Sequence, residues 1–204
     1  MDWLNKRKQD FFYKKAKAEK YRARSAYKLI EIQKKFHIIK VGDIIIDLGA
    51  APGSWSQVAL DFIGDNGKVL AVDMLEMAPL KGNFVFVKGD IFKERIIAKI
   101  KEVITQADVV ISDAAPEFSG VRMLDIGRAD TLCEQILEIA KQTLKKGGYF
   151  VCKSFQSAEH QKFIANVKKN FENVKEFKPA ASLRESSEIY IIGIGFRRGK
   201  QQAS

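Results

Sequence analysis

Residues 43–56 read DIIIDLGAAPGSWS. A β-branched run, Ile44 to Ile46, passes through Asp47 to Gly49, Pro52 and Gly53, and a segment of helical period begins at Ser56. That pattern is a buried strand turning sharply into a helix, the opening unit of a parallel α/β sheet. Four similar runs follow: KVLAVD (68–73), NFVFVKGD (83–90), ADVVISD (107–113) and GYFVCK (148–153). All five are continuously apolar rather than alternating, as expected where helices cover both sheet faces. Crossover helices are expected over 56–63, 92–103 and 125–144, the last closed by Gly147 and Gly148. Beyond these the pattern changes to a helix over 157–171 and two strands, NVKEFK (173–178) and EIYIIGIGF (188–196). The loop between those strands is too short for a crossover helix, so they should pair as a hairpin and place an antiparallel strand in a mostly parallel sheet.

Composition bounds the rest. The 204 residues are 46% hydrophobic and 29% charged, which excludes disordered and collagen-like chains and gives the expectation of one domain over 1–204. Cys133 and Cys152, with only two His, make neither a disulfide framework nor a zinc site, so no metal is expected. No apolar run approaches the roughly 20 residues of a membrane span, and the start MDWLNKRKQDFF has no signal-peptide core. A monomer in a reducing cytoplasm is the expectation. Residues 1–40 hold 13 Lys and Arg against 4 Asp and Glu, so most of the net charge of +10 sits in a basic N-terminal helical extension. A cationic lobe beside a balanced body suggests a polyanion, most simply nucleic acid, although a solvated helix face has the same composition. The lobe is expected to grip RNA and to stand apart from any cofactor pocket. The terminal RRGKQQAS (197–204) reads as frayed.

Asp47, Asp73, Asp90, Asp113 and Lys153 lie at or beside the ends of the five parallel runs. In an open parallel sheet these ends form one edge, where ligands bind. Any one such Asp also suits a helix N-cap; all five together point to a site. The turn Gly49 to Gly53 lets backbone approach a ligand, but Ala51 stands where a dinucleotide fingerprint needs glycine. Asp73 occupies the position from which a carboxylate accepts both hydroxyls of an adenosine ribose, and Asp90 the position to accept from an adenine amino group. Trp55 would flank such a ligand or belong to the core; Met74 and Met77 would wall the adenine or lie exposed.

DLGAAPGSWS (47–56), SDAAP (112–116), VCKSF (151–155) and SEIY (187–190), preceded by YRARSAYKL (21–29), resemble the FtsJ/RrmJ family of S-adenosylmethionine-dependent RNA ribose 2′-O-methyltransferases. The resemblance runs over about residues 20–196 in unbroken order. It implies a Rossmann-like seven-stranded methyltransferase fold and a Lys-Asp-Lys-Glu tetrad on Lys28, Asp113, Lys153 and Glu188. It also implies cofactor contacts at Gly49, Gly53, Trp55, Asp73, Asp90 and Asp113. Ser54, in place of a second glycine, and Glu117, in place of Asn, depart from the usual pattern. Large-subunit ribosomal RNA, or the subunit itself, is the implied partner.

The implied chemistry suits the residue types. Methyl transfer from a sulfonium to a sugar hydroxyl needs orientation and a destination for the hydroxyl proton. Lys153 is the expected base; an amine serves as one where burial or a neighbouring cation favours its neutral form. Asp113 would hold that amine, with Lys28 and Glu188 completing the network. G-x-S-x-G, H-E-x-x-H and P-loop motifs are absent, neither Cys follows a Pro, and His37 and His160 read as structural or solvated. Two alternatives stay open: transfer RNA as substrate, and a ribosome-assembly RNA-binding module without turnover.

Overall fold

The computed structural model describes residues 11–116, 119–157, 159–183 and 185–198; Glu117 and residues 199–204 of the expected frayed end lie outside them. Helix α1 covers residues 11–18. It is followed by α2 (Ala26–Phe36), β1 (Ile44–Leu48), α3 (Ser54–Ile63), β2 (Lys68–Asp73), β3 (Phe84–Lys88), α4 (Arg95–Val103) and β4 (Ala107–Ser112). The chain continues as α5 (Arg122–Thr143), β5 (Leu144–Phe155), α6 (His160–Asn170), β6 (Phe171–Phe177) and β7 (Glu188–Phe196). The seven strands lie in the order β3-β2-β1-β4-β5-β7-β6. Pairs are parallel from β3 through β5, and β7 runs antiparallel to both β5 and β6. The expected hairpin therefore forms, and its second strand is the one inserted into the sheet.

Side-chain alternation sorts the core into two layers. Ile46, Leu48, Val110, Phe150 and Cys152 pack under α4, α5 and α6. Ile45, Val109, Ile111, Val151, Tyr190 and Ile192 pack under α2 and α3. Each fully buried aliphatic contributes about 1.5–3 kcal/mol, so losing either layer unfolds the sheet. The parity that places these residues also sends Asp47, Asp113, Lys153 and Glu188 to the α2–α3 face, because each is an even number of positions from one of them.

Several boundaries differ from expectation, each for a physical reason. β3 is half-buried, because it is the edge strand and lacks a neighbour on one side. It ends at Lys88, so Asp90 stands in the loop after it. Helix α5 starts at Arg122 rather than 125, and Asp125 accepts from Ser119 N at 2.7 Å, Ser119 Oγ at 2.7 Å and Gly120 N at 3.1 Å. Those hydrogen bonds hold its carboxyl below the usual range. Gly147 and Gly148 do not close that helix. It ends at Thr143 and the chain enters β5 at once, the glycines shaping a bulge in which the register with β4 shifts and Gly147 takes φ 81°. Helix α6 begins at His160, and β6 follows it directly at Phe171. Among the described residues, the basic N-terminal segment holds the two helices α1 and α2. The chain breaks between them, with Lys20 at φ 61°.

Candidate active site

Lys28 rises from α2, Asp113 follows β4, Lys153 lies within β5 and Glu188 opens β7. Four elements thus deliver four charged groups to one place. Lys153 Nζ lies 3.2 Å and Lys28 Nζ 3.6 Å from the same oxygen, Asp113 Oδ1. Lys28 also sits between the two oxygens of Glu188, 2.8 Å from Oε1 and 2.9 Å from Oε2. Lys153 Nζ donates as well to the Asp113 main-chain carbonyl. Both lysines are only 9% exposed, so the charges are paired within a largely desolvated space. All four residues expected to form the tetrad are brought together.

Two further side chains tie the network, and sequence reasoning gave them no role. The Tyr190 hydroxyl donates to Asp113 Oδ1 at 2.5 Å and approaches Glu188 Oε1 at 3.3 Å. Burial, with the adjacent Asp113 and Glu188 charges, pushes its phenol well above the ordinary range, so it remains a donor. Ser182 Oγ donates to Glu188 Oε1 at 2.7 Å. Burial raises the Glu188 carboxyl, but Lys28 and the Ser182 hydroxyl outweigh it and hold the group below its usual range. Tyr190 was findable, since it stands two residues from Glu188 on the same strand face. Ser182 carried no such signal.

A small open pocket adjoins the network, lined by Ser25, Asp47, Gly49, Ser54, Trp55 and Asp113. Trp55 is a wall that is also core: it is 2% exposed, stacks on Tyr190 with ring centroids 5.7 Å apart, and donates from Nε1 to Ser25 O at 2.9 Å. Asp47 is fully buried and accepts from Ser56 Oγ at 2.6 Å. Desolvation, aided by the Asp113 and Asp73 charges, raises its carboxyl to about 7 against the Ser56 hydrogen bond. Ser54 Oγ lies 2.8 Å from Ser25 Oγ, so the departure from glycine at 54 provides a polar link to the N-terminal segment.

Asp73 and Asp90 stand beyond this pocket, at the end of β2 and in the loop after β3. Asp73 accepts Ala51 N on Oδ2 and Leu75 N on Oδ1, both at 2.8 Å. Each oxygen thereby keeps a lone pair for a further donor. Asp90 accepts Phe92 N on Oδ1 at 2.9 Å. Fixed carboxylates with acceptor capacity to spare suit the hydroxyls and amine of an adenosine, and the residues present fit that group. The packing adds a further reason for the glycines. A Cβ at Gly49 would lie 2.4 Å from Ala114 Cβ, and one at Gly53 would lie 2.5 Å from Met77 Cε and 2.9 Å from Arg22 Nη1. Their missing side chains make room for the protein's own packing. Met77 therefore packs on the turn, whereas Met74 is exposed.

The N-terminal segment does not stand apart from the pocket, contrary to expectation: Ser25 lines it, and Arg22 is bonded to the turn that bounds it. His37 is an exposed helix C-cap. His160 is buried between Ser154 Oγ at 3.2 Å and Glu176 Oε2 at 2.9 Å, away from the tetrad. Among the described residues no group of three or more His, Cys, Asp and Glu is arranged to hold a metal ion, and no helix is long and apolar enough to cross a membrane.

The model of the FtsJ-like methyltransferase family matches residues 21–196. A protein named ribosomal RNA large subunit methyltransferase E from Methanothermobacter thermautotrophicus is 44% identical over 202 residues, covering 98% of this chain and 95% of its own length. Its namesake from Acinetobacter baumannii is 43% identical over 201 residues, covering 98% and 93%. A crystal structure assigned to a ribosomal RNA methyltransferase of Plasmodium falciparum is similar with a TM-score of 0.77 at 30% identity, covering 86% of this chain and 98% of that one. Aeropyrum pernix fibrillarin, solved with natively bound S-adenosyl-L-methionine, shares the fold at a TM-score of 0.56 and 18% identity, covering 77% of this chain and 68% of that one.

Proposed function

The chain belongs to the FtsJ-like methyltransferase family, and on that premise we propose that it methylates the 2′-hydroxyl of a ribose in large-subunit ribosomal RNA, using S-adenosylmethionine. The observation that carries this reading is the pair of buried lysines on one oxygen of Asp113, at the edge of the pocket. When bound, S-adenosylmethionine supplies a methyl group already activated on a sulfonium. The protein's task is then to orient the acceptor and remove its proton.

In this reading Asp73 holds the cofactor ribose, Asp90 the adenine amine, and the Gly49–Gly53 turn with Trp55 and Asp113 bounds the methionine end. Lys153 Nζ accepts the proton of the 2′-hydroxyl. Two acceptors, the Asp113 carboxylate and the Asp113 carbonyl, hold that nitrogen in place. Tyr190 keeps Asp113 from rotating, because its hydroxyl donates to the same oxygen that the lysines approach. Lys28, locked by Glu188, adds a fixed positive charge where an oxyanion develops. Ribosomal RNA as the substrate rests on the names of the relatives, and the exposed lysines of α1 supply charge for phosphate contacts.

The test is transfer of labelled methyl from S-adenosylmethionine to separated RNA fractions. Label is expected in large-subunit ribosomal RNA and absent from the same RNA carrying a 2′-deoxy target nucleotide. Label confined to transfer RNA, or present in the deoxy substrate, overturns the reading. RNA binding without any transfer would favour the non-catalytic assembly role.

A further inference from the structure

Arg22 lies in the segment between α1 and α2, in a charge-rich region that composition alone would assign to RNA. Its guanidinium makes no ion pair with a carboxylate among the described residues. Instead Nη1 donates to Pro52 O at 2.9 Å and to Ala78 O at 2.7 Å, and Nη2 donates to Pro79 O at 2.8 Å. The Arg22 main-chain N–H donates to Gln57 Oε1 at 2.8 Å, and Gln57 Nε2 donates back to Lys20 O at 3.1 Å, fixing the stretch against α3.

The three carbonyls belong to two loops: Pro52 to the turn after β1, Ala78 and Pro79 to the loop after β2. Asp73 joins the same two loops at another place, because its carboxylate takes Ala51 N from one and Leu75 N from the other. A planar fork with several donors in fixed directions can bridge carbonyls on separate loops in a way that an ammonium cannot. Gly53 leaves the space for it, since a Cβ there would come within 2.9 Å of Arg22 Nη1.

We propose that Arg22 is a positioning residue for the cofactor: it clamps the turn after β1 to the loop after β2 and so sets the two amides that hold the Asp73 carboxylate. The inference rests on the reading of Asp73 as the cofactor ribose acceptor. It also moves part of the basic segment from RNA binding to cofactor binding.

The experiment measures S-adenosylmethionine affinity by calorimetry, RNA affinity of the cofactor-free protein as a function of salt, and exchange of the Ala51 and Leu75 amides. It compares wild type, Arg22→Lys and Arg22→Ala. Both variants should lose cofactor affinity by about tenfold or more, the scale of lost charge-assisted hydrogen bonds. Both should exchange the two amides faster than wild type at unchanged melting temperature, and Arg22→Lys should keep the wild-type salt slope for RNA. Cofactor affinity within about twofold of wild type in Arg22→Ala overturns the clamp. So does full rescue by lysine, which would make charge rather than the fork the active property. A salt slope reduced by about one in Arg22→Ala, with cofactor binding and amide exchange intact, would make Arg22 a phosphate contact instead. Failure of the wild-type protein to bind S-adenosylmethionine would sink the reading of Asp73; the exchange rates would still decide whether Arg22 joins the loops.

Discussion

Lys14, Lys15 and Lys17 of α1 are exposed, whereas Arg22 and Lys28, a few residues further on, direct their charges to main-chain carbonyls and half-buried carboxylates. Helix α1 touches the body through Phe12 and Ala16, which pack against Tyr27 and Ala181, and presents its lysines to water. The stretch from Tyr21 to Lys28 is woven into the site: Arg22 to the turn after β1, Ser25 to Ser54 and Trp55, Lys28 to Glu188. Equal charge in sequence thus divides into a wet half, screened by salt and suited to a polyanion, and a drier, bonded half, with Lys28 buried and Arg22 half-buried, whose energy depends on geometry.

The contrast between dry and wet charge is tested most strongly at Asp47. Its folded-state value of about 7, against 3.8 when exposed, means that the folded protein holds a proton there which the unfolded chain has lost. That contribution to stability is complete below about pH 4 and disappears as pH rises through about 7, a swing on the order of 4 kcal/mol. Asp47→Asn should therefore match wild type near pH 4 and exceed it at pH 8 in denaturant unfolding. Parallel stability curves would mean that the pocket floor is wet.

The next largest effect separates proton transfer from charge. Lys153→Ala should fold and bind both ligands yet transfer methyl at least about 100-fold more slowly, the scale of a lost general base. Lys153→Arg should not recover the rate, because a guanidinium keeps its proton. Single-turnover rates check this, and near-normal transfer by the arginine variant would remove Lys153 from the role of base.

Asp73→Ala should weaken S-adenosylmethionine binding by about 2 kcal/mol, since two hydroxyls lose a charged acceptor. Its RNA affinity should stay the same, and calorimetry with a parallel RNA titration checks both. Smallest in energy, and most pointed for the comparison, is the double change Lys14→Gln with Lys17→Gln on α1. It should make the salt dependence of RNA binding shallower by about one to two units and leave cofactor affinity alone. A loss of cofactor binding there would place α1 with the dry half.

These assignments show how unevenly the molecule was written in its sequence. β1, β2 and β4 were legible because strands buried on both faces have little choice but to be apolar throughout. The clustering of Lys28, Asp113, Lys153 and Glu188 was legible because the motifs of a family fall on them. LKKGGYF was misread at its start, since a glycine pair after a helical segment signals a stop as readily as it shapes a bulge. Arg22 was opaque for another reason: its partners are carbonyls 30 to 57 residues away, and a carbonyl leaves no mark on residue type. Asp47 stood in the quoted turn, but only the packing around it shows that its carboxyl is buried.

The insertion of β7 between β5 and β6 has a consequence for the order in which the protein comes into being. Residues 144–177, which supply both neighbours of that slot, are synthesised before residues 188–196 fill it. Until then Lys28, Asp113 and Lys153 lack Glu188 and Tyr190. Because folding proceeds with synthesis, assembly of the four-residue cluster waits until residues 188–196 have been made.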